Sequence, residues 1–348
     1  MILAIETSCD DTCAAVITEQ GEIVVNVISS QGIHDRYGGV VPEIASRQHL
    51  ELIGDAVDEA LRTADATLPE VALIAVTRGP GLVAALLVGL ATAKALAAAH
   101  RLPLAAVDHL HGHIAASFLG PTPFAPPFLS LVASGGHTFL ARVADRSPRW
   151  EVLGQTLDDA AGEAFDKGAR LLGLGYPGGA ALERLARDGD SQAFVFPAGA
   201  GMKGLDFSFA GLKTALLYRI RDLGEAEARR RRADLAASYQ HAIVESLAIR
   251  VKRALAGTGL DRLAIGGGVA ANGALRARLA ALDVELDLPP RELCTDNAAM
   301  IASAARYVEP LAYPAYLSLD VYATGERPSR MTQADLAKGE LDAEPRSA

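Results

Sequence analysis

Three histidines stand within five positions in the segment DHLHGHIAA, residues 108–116. In a helix, His109 and His113 share one face because side chains four positions apart are neighbours, and their imidazoles could bind one cation. His111 would point to nearly the opposite side. Leu110 stands where a zinc protease of the HExxH type carries its glutamate, so that class is disfavoured. The pattern alone does not distinguish a metal site, which needs a further ligand from elsewhere, from two histidines at the surface or the core edge.

A second group of reactive side chains lies in residues 157–179, LDDAAGEAFDKGARLLGLGYPGG. Asp166 could accept hydrogen bonds from a ribose or a substrate amine, and Gly179 would allow close approach of the backbone. The alternative is a helix face held by two ion pairs, Glu163–Lys167 and Asp166–Arg170. The residues alone favour neither interpretation.

The elements that must position these side chains form a repeated pattern. Residues 2–17 and 128–143 each predict a strand, a polar turn of small residues and a second strand. An ungapped alignment of the two segments pairs Ser8 with Ser134 and Thr12 with Thr138. A glycine-rich junction between a strand and a helix follows each hairpin, in residues 73–96 and 262–282. These features predict a duplicated α/β unit.

The turns and junctions of such a unit predict a cleft that binds nucleotide phosphates. Glycine and serine turns let a phosphate approach the backbone, and helix N-termini present free N–H groups. Neither a Walker A sequence nor the GxGxxG fingerprint of dinucleotide-binding folds occurs in the chain. The paired arrangement therefore carries more weight than any one glycine cluster.

Composition narrows the class of protein further. The chain has 348 residues, of which 50% are apolar and 5% aromatic, enough for two cores packed mainly by aliphatic side chains. Its net charge of −9 argues against a dedicated nucleic-acid coat but allows an enzyme that contacts RNA briefly or with a partner. Arg229–Arg232 form the one dense basic run, and we favour a solvated helix face paired with Glu225 and Glu227.

Several features predict a reduced, cytoplasmic protein. The start MILAIETSCDD lacks the basic region and the cleavage site of a signal peptide. The apolar stretch Leu82–Ala99 is alanine-rich and contains Gly89 and Lys94, which favours a buried helix over a membrane span. Three cysteines without CxxC spacing fit a reducing compartment: Cys9, Cys13 and Cys294.

The chain carries two predicted helix starts and a tail. Pro42 follows a Gly-Gly loop, and a helix should begin near Glu43. The segment CTDNAAMIASAARYV reads as a helix capped by Thr295 or Asp296. From about Gly325 the sequence is polar and predicts a loose tail.

Nine phrases in this order and spacing resemble a known family: IETSCDDT, YGGVVPEIASRQH, TRGPGL, DHLHGHIAA, SGGHT, GEAFDKGARLLGLGYPGG, FSFAGLKTA, GGGVAANGALR and CTDNAAMIA. They resemble the universal family of tRNA threonylcarbamoyladenosine-synthesis proteins, formerly described as O-sialoglycoprotein endopeptidases. The resemblance extends from residue 2 to about residue 323.

The resemblance implies a fold that agrees with the predicted duplication. This is the actin-like fold of sugar kinases and heat-shock ATPases (ASKHA, ribonuclease H-like), an α/β fold of two domains with a nucleotide and metal cleft between them. We expect residues 1–105 and about 297–323 to form the N-terminal subdomain. Residues 106–296 would form the C-terminal subdomain, and residues 324–348 the polar tail.

The resemblance also implies an acyltransferase reaction. The threonylcarbamoyl group of threonylcarbamoyl-AMP would be transferred to N6 of adenosine 37 in tRNAs that read ANN codons. Implied partners are the tRNA anticodon loop, a paralogous subunit of the same fold held through helices of the N-terminal domain, and a small ATPase. No membrane partner is implied, and a homodimer is allowed when the chain is alone.

Site residues are carried over one by one from the family's motifs. The metal ligands would be His109, His113 and Asp296, with iron or zinc as the divalent cation. The substrate-binding positions would be Val132, Ala133, Ser134, Gly135, Gly136, Asp166, Gly179 and Asn272. ATP, ADP or AMP would fit the same cleft as the substrate adenylate.

Two positions depart from the common bacterial pattern. His111 stands where a glutamate is usual, and because it lies off the ligand face the change should not remove the metal. Asp11 stands where the first hairpin usually has a glutamate. If that position is catalytic, Asp11 must act with a side chain one carbon shorter.

Rival interpretations come from other classes. A small-molecule kinase of the same fold would bind ATP and Mg²⁺ and would not need the histidine pair, so His109→Ala should leave its activity largely intact. A nucleotide-binding scaffold would bind without transferring a group. An endopeptidase is disfavoured because HExxH is absent.

Overall fold

Two mixed sheets form the framework of the chain. The computed structural model describes residues 1–199 and 201–323, so the predicted tail lies outside the described residues. The strands are β1 (Ile2–Glu6), β2 (Asp11–Ile17), β3 (Ile23–Ser30), β4 (Leu73–Gly79), β5 (Leu104–Asp108), β6 (Phe128–Ala133), β7 (Thr138–Val143), β8 (Glu151–Gln155), β9 (Arg262–Gly266) and β10 (Glu285–Asp287). The first sheet has the order β3-β2-β1-β4-β5 and the second β10-β9-β6-β7-β8.

The two sheets have the same topology. In the first, β1 pairs antiparallel with β2 and parallel with β4. In the second, β6 pairs antiparallel with β7 and parallel with β9. The strands β1 and β6 are buried along their whole length, as expected for central strands covered on both faces. The predicted duplication is therefore confirmed, with both hairpins at the predicted places.

Helices cover these sheets. They are α1 (Pro42–Thr63), α2 (Val83–His100), α3 (His109–Ala115), α4 (Ala161–Leu171), α5 (Gly178–Ala186), α6 (Ala210–Leu223), α7 (Glu225–Arg230), α8 (Arg232–Thr258), α9 (Gly273–Ala280) and α10 (Ala298–Ala305). The pair α1 and α2 packs on the first sheet, while α4, α5 and α8 pack together beside the second. A further apolar cluster, with members from α3, α10 and both sheets, joins the two halves. The start of α1 agrees with the predicted start near Glu43.

The apolar helix α2 is buried on one face only. Within the described residues it is the one helix long and apolar enough to cross a bilayer. Leu86 and Leu90 are buried, and Leu90 belongs to the apolar cluster of the first sheet, which explains the apolar stretch as a core helix. Val83 and Leu87 are 44% and 45% exposed, so the prediction of a buried helix holds for the inner face alone.

Helix α10 returns the chain to the first sheet. It packs on β1, β2 and α3. Its predicted cap was wrong: Asn297 is the cap, and its Oδ1 accepts a hydrogen bond from the Met300 N–H at 2.9 Å. Asn297 is preferred because its side chain lies buried at the helix start, which leaves Asp296 free to face the cleft. The fold is an α/β fold of two domains, while the exact boundaries stay a prediction.

Candidate active site

A cleft of about 790 Å³ is lined by several of the predicted reactive residues, from both halves of the chain. Its lining includes both hairpin turns, the glycine loop after β3, helix α4 and the segment before α10. Among the lining residues are Ser8, Asp11, His109, Ser134, Asp166 and Asp296. The duplicated hairpins thus face one cavity, as the sequence pattern predicted.

Helix α3 presents the histidine pair because its start is fixed. Asp108, the last residue of β5, caps the helix: its Oδ1 accepts hydrogen bonds from the N–H groups of Leu110 and His111 at 2.8 and 3.2 Å. His109 and His113 then lie one turn apart, with ring centroids 4.7 Å apart. Both side chains are buried, at 5% and 1% exposure.

Asp296 completes a cluster with these histidines. Its Oδ1 lies 3.4 Å from the Nε2 atom of His109 and 3.4 Å from that of His113. Ligand atoms bound at about 2.0–2.1 Å in a tetrahedral site lie about 3.3 Å apart, so this spacing fits a divalent cation. Neither ring nitrogen of His113 has a hydrogen-bond partner among the described residues, although both are buried. The lone pair of a buried imidazole nitrogen without a hydrogen-bond partner is available to a metal ion.

Two carboxylates, those of Asp296 and Glu6, lie beside the His109 ring. Burial alone would lower the pKa of His109, but Asp296 and Glu6 raise it well above its usual value. Burial would raise the pKa of Asp296, and His109 outweighs it and holds that pKa well below its usual range. The site therefore keeps two carboxylates ionised beside a cation, which a divalent metal ion could replace.

His111 lies apart from this cluster, as predicted. Its ring stacks on Trp150, with centroids 5.8 Å apart. Burial lowers the pKa of His111 to about 4, so the ring is neutral near pH 7. His111 therefore does not line the cleft, although it lies between the two other histidines in the sequence.

The second hairpin turn forms an open glycine cradle. The turn between β6 and β7 lines the cleft with Ser134, Gly135 and Gly136. A Cβ atom added at Gly135 or Gly136 would meet nothing within 4 Å, so the space beside this backbone is free for a ligand. The predicted substrate residues Val132, Ala133 and Gly179 do not line the cavity, and the side chains of Val132 and Ala133 are buried in the core.

Asp166 lies at the cleft with part of its carboxylate occupied. Its Oδ1 accepts hydrogen bonds from the N–H groups of Gly178 and Gly179, at 2.8 and 3.2 Å, and so caps α5. Burial raises the pKa of Asp166, and these two N–H groups oppose the shift. The predicted ion pair with Arg170 does not form, because Arg170 donates to the carbonyl oxygen of Gly38 instead.

The other predicted pair on α4 is present. Lys167 lies 3.0 Å from the Glu163 carboxylate and 2.6 Å from that of Asp159. Both interpretations of the segment therefore hold in part: α4 has a salt-bridged face, and it also turns Asp166 toward the cleft. Residue spacing could not distinguish the two interpretations because the same helix carries the ion pair and the cleft residue.

Asn272 has a local role in the structure. Its Oδ1 accepts from the Leu275 N–H at 3.0 Å and caps α9, while its Nδ2 donates to Gln240 at 2.9 Å. Asn272 does not line the cavity, although the neighbouring Gly268 does. It supports the cleft wall through the start of α9.

The first hairpin turn adds acidic residues that spacing did not single out. Asp10 and Cys9 line the cleft beside Asp11. Burial raises the pKa of Asp11 to about 7, with Asp296 and Asp10 adding to the shift and a hydrogen bond with Ser30 opposing it. Glu6 at the end of β1 was also missed, because an acidic residue after an apolar run usually marks a solvated strand end.

Arginines of the basic run form ion pairs with neighbouring carboxylates. Arg229 bonds Glu225 at 2.9 Å, Arg230 bonds Glu227, and Arg231 bonds Asp234 at 3.0 Å. The interpretation as a solvated helix face paired with Glu225 and Glu227 is confirmed for Arg229 and Arg230, whereas Arg231 is half-buried and pairs with Asp234.

Fold and cleft together define the class: a two-domain α/β protein of the actin-like type. The solved structure of T. kodakarensis HypF superposes with a TM-score of 0.58 at 15% identity, over 87% of this chain and 47% of that chain. Component A of the (R)-2-hydroxyglutaryl-CoA dehydratase of Acidaminococcus fermentans gives a TM-score of 0.52 at 15% identity, over 88% and 95%. These likenesses show the fold alone.

The family is shown by sequence. Residues 22–303 match the TsaD family model, tRNA N6-adenosine threonylcarbamoyltransferase. The enzyme of that name from Anaeromyxobacter sp. (strain Fw109-5) is 53% identical, over 88% of this chain and 93% of the relative. That from Trichlorobacter lovleyi is 51% identical, over 87% and 90%. The chain belongs to the tRNA N6-adenosine threonylcarbamoyltransferase family, a family of acyltransferases.

Proposed function

We propose that the chain transfers the threonylcarbamoyl group from threonylcarbamoyl-AMP to N6 of adenosine 37 in tRNAs that read ANN codons. Family membership over nearly nine-tenths of the chain carries this proposal. The convergence of His109, His113 and Asp296 on one cleft supports it, because a kinase of the same fold would not need the histidines.

Three residues would hold a metal ion in this proposal. The Nε2 atoms of His109 and His113 and the Oδ1 atom of Asp296 form a set that suits a borderline divalent cation such as zinc or iron. When bound, such an ion supplies Lewis-acid stabilisation of charge on substrate oxygens. Nitrogen ligands argue against magnesium, which prefers oxygen donors.

The second hairpin turn would hold the adenylate. The open space beside Gly135 and Gly136 lets a phosphate or ribose approach the backbone closely. Ser134 lies at the start of the same turn, and the Asp166 carboxylate at the cleft would accept hydrogen bonds from ribose hydroxyls. Val132, Ala133, Gly179 and Asn272 would act through backbone position and support of the wall.

The reaction forms one bond and breaks another. The N6 atom of adenosine attacks the carbamoyl carbonyl carbon, the C–N bond forms, the bond from that carbon to the phosphate oxygen breaks, and AMP leaves. The N6 nitrogen must lose one proton, and Asp11 is the candidate acceptor because its raised pKa, about 7, matches a general base near neutral pH. An exocyclic amine is a poor nucleophile, so positioning supplies much of the rate.

We further propose that α1 and α2 hold a paralogous subunit of the same fold. Leu87 and Val83 on α2 and Leu50 on the neighbouring α1 are exposed, and Leu50 is 70% exposed. Exposed aliphatic side chains on adjoining helices favour a protein partner. The small ATPase, and a homodimer in the absence of partners, belong to the same proposal.

We propose that tRNA docks near the cleft with help from these partners. A net charge of −9 gives the chain little long-range attraction for RNA. The paired arginines on α7 do not favour that surface as the principal contact. A tRNA substrate and the three free cysteines support a cytoplasmic location.

The test is a transfer assay on unmodified tRNA. Purified chain, threonylcarbamoyl-AMP and competent partners should yield modified adenosine, detected by nucleoside mass spectrometry. His109→Ala should lower the yield at least 100-fold and also lower metal content, because one of three ligands is lost. His241→Ala, an exposed histidine on α8 away from the cleft lining and from α1 and α2, is the matched control and should behave as wild type.

Two outcomes would contradict the proposal. One is no product above the enzyme-free control when the partners are active with another enzyme of the family. The other is full activity of His109→Ala, which would favour the kinase or scaffold alternative.

A further inference from the structure

Glu6 is a fully buried carboxylate at the end of β1 that the proposed reaction does not use directly. Its Oε2 lies 2.9 Å from the Nδ1 atom of His109. We propose that Glu6 is a positioning residue that orients His109 for metal binding and sets the affinity of the site. This inference rests on the metal site put forward in the proposed function.

The contact selects one form of the imidazole ring. A carboxylate oxygen accepts, so Nδ1 of His109 must carry the proton that it donates to Glu6. In the neutral ring the lone pair then lies on Nε2, the atom 3.4 Å from the Asp296 carboxylate. The Ser8 hydroxyl lies 3.2 Å from Nδ1 and adds to this anchoring. His109 therefore presents its ligand atom toward the other two members of the cluster.

Glu6 is itself held in place from two further directions. The Thr77 hydroxyl on β4 donates to Oε2 at 2.6 Å, and the Ser8 N–H donates to Oε1. With three donors around it, the carboxylate has little freedom to rotate. Glu6 thus fixes the orientation of His109 relative to the backbone of β1 and to the neighbouring strand β4, which are rigid elements of the first sheet.

Charge gives Glu6 a second effect. A divalent cation held by two neutral histidines and one carboxylate would leave a net positive charge in a buried place. The buried charge of Glu6 offsets that excess through the imidazole, because a carboxylate behind a metal-bound histidine raises the basicity of the ligand. His113 has no such partner among the described residues, so the two histidines are not equivalent.

The alternative is that the Glu6–His109 pair only stabilises the fold. A buried ion pair can be replaced at little cost to the fold, while removing one partner is costly. Metal affinity and the metal's electronic spectrum separate the two roles, because a purely structural carboxylate would alter the stability of the metal-free protein and leave both of these unchanged.

The experiment compares full-length variants stripped of metal and titrated with Co²⁺ and Zn²⁺. Dissociation constants come from competition with a chromophoric chelator, and the Co²⁺ absorption bands report ligand geometry. Glu6→Gln keeps the shape and removes the charge, and should weaken binding about 10–100-fold and shift the Co²⁺ bands. Thr77→Val loosens Glu6 without touching His109 and should weaken binding about 3–10-fold. Glu59→Gln, an exposed carboxylate on α1, is the control and should match wild type.

The outcomes distinguish a positioning role of Glu6 from a purely structural one. Wild-type affinity and an unchanged Co²⁺ spectrum in Glu6→Gln, with a lower melting temperature of the metal-free protein, would overturn the inference in favour of a structural role. Should Glu6→Gln not fold, Thr77→Val alone decides by the same two readouts. A wild type that binds Co²⁺ no better than His109→Ala would overturn both the metal site and this inference. A wild type that binds Co²⁺ normally but shows no transfer activity would instead count against the proposed reaction alone.

Discussion

Asp11 faces the cleft in an environment unlike that of an ordinary surface carboxylate. Burial raises its pKa to about 7, and the carboxylates of Asp296 and Asp10 add to the shift. An unfolded chain would release this proton near pH 4. Between the two values the folded state binds a proton that the unfolded state has lost, so the stability contributed by that proton is lost as pH rises from about 4 to 7.

Asp11→Asn should therefore stabilise the metal-free protein in a pH-dependent way. The difference in unfolding free energy between variant and wild type should grow by about 2 kcal/mol from pH 4 to pH 8, half of the ~4 kcal/mol of an unscreened shift, because water reaches the cleft. Urea unfolding at both pH values measures it. The exposed Asp55→Asn on α1 is the control, and a pH-independent difference for Asp11→Asn would contradict the argument.

The same substitution should remove a base if Asp11 accepts the N6 proton. Asp11→Asn should lower the transfer rate about 10²–10⁴-fold with little change in substrate binding. Asp11→Glu, which restores the residue usual in the family, should retain activity. Single-turnover transfer and adenylate binding by calorimetry separate the two effects, and equal activity of wild type and Asp11→Asn would remove Asp11 from the chemistry.

At the residue scale, spacing predicted what a single element could hold. The i, i+4 relation put His109 and His113 on one face and turned His111 away, and the structure agrees. Asp296 came from the family resemblance, because no local pattern links it to α3. Glu6 escaped notice since its burial depends on the strands around it, and strand burial is a tertiary property.

At the element scale, the start of α10 joins a helix cap to the cleft. Asn297 caps the helix through Oδ1, and its Nδ2 donates to the Thr295 carbonyl oxygen at 2.8 Å. The two bonds fix the backbone on both sides of Asp296. The cap was predicted one or two residues too early because threonine, aspartate and asparagine are all good caps, and only packing selects among three in a row.

Asn297→Ala should cost about 2–3 kcal/mol of unfolding free energy, since a cap is lost and buried polar groups lose their partner. It should also weaken Co²⁺ binding about 10-fold, because Asp296 is no longer held. Asn272→Ala removes the corresponding cap of α9 and is the matched control, with a loss of stability and unchanged Co²⁺ affinity. Equal Co²⁺ affinity in both variants would show that the cap does not position Asp296.

At the scale of the whole molecule, the duplicated topology was the most predictable feature. Each strand–turn–strand segment leaves one edge of its first strand to pair with a parallel neighbour, and the following junction supplies that strand, so the repeat of hairpin and junction led directly to two similar sheets. Composition predicted that the inner face of α2 is buried. It did not predict that the outer face is exposed, because an apolar stretch does not reveal what covers it. That outer face bears on assembly.

Leu87→Glu on α2 should abolish binding to the paralogous subunit, since a charge would be buried in an apolar contact. Light scattering after size exclusion would show the chain alone in place of a heterodimer. Leu217→Glu on α6 is a close control, because Leu217 and Leu87 are both 45% exposed. A heterodimer formed equally by both variants would place the partner elsewhere.

The position of Asp296 also bears on the order of events during synthesis. About 180 residues separate this ligand from His113. At a synthesis rate of about 5–20 residues per second, the two histidines exist for roughly 10–40 s before the third ligand is made. A nascent chain could therefore offer a metal ion only a two-histidine site, and firm loading would follow the return of the C-terminal helix to the first sheet. Metal content would in this way report that translation has reached α10.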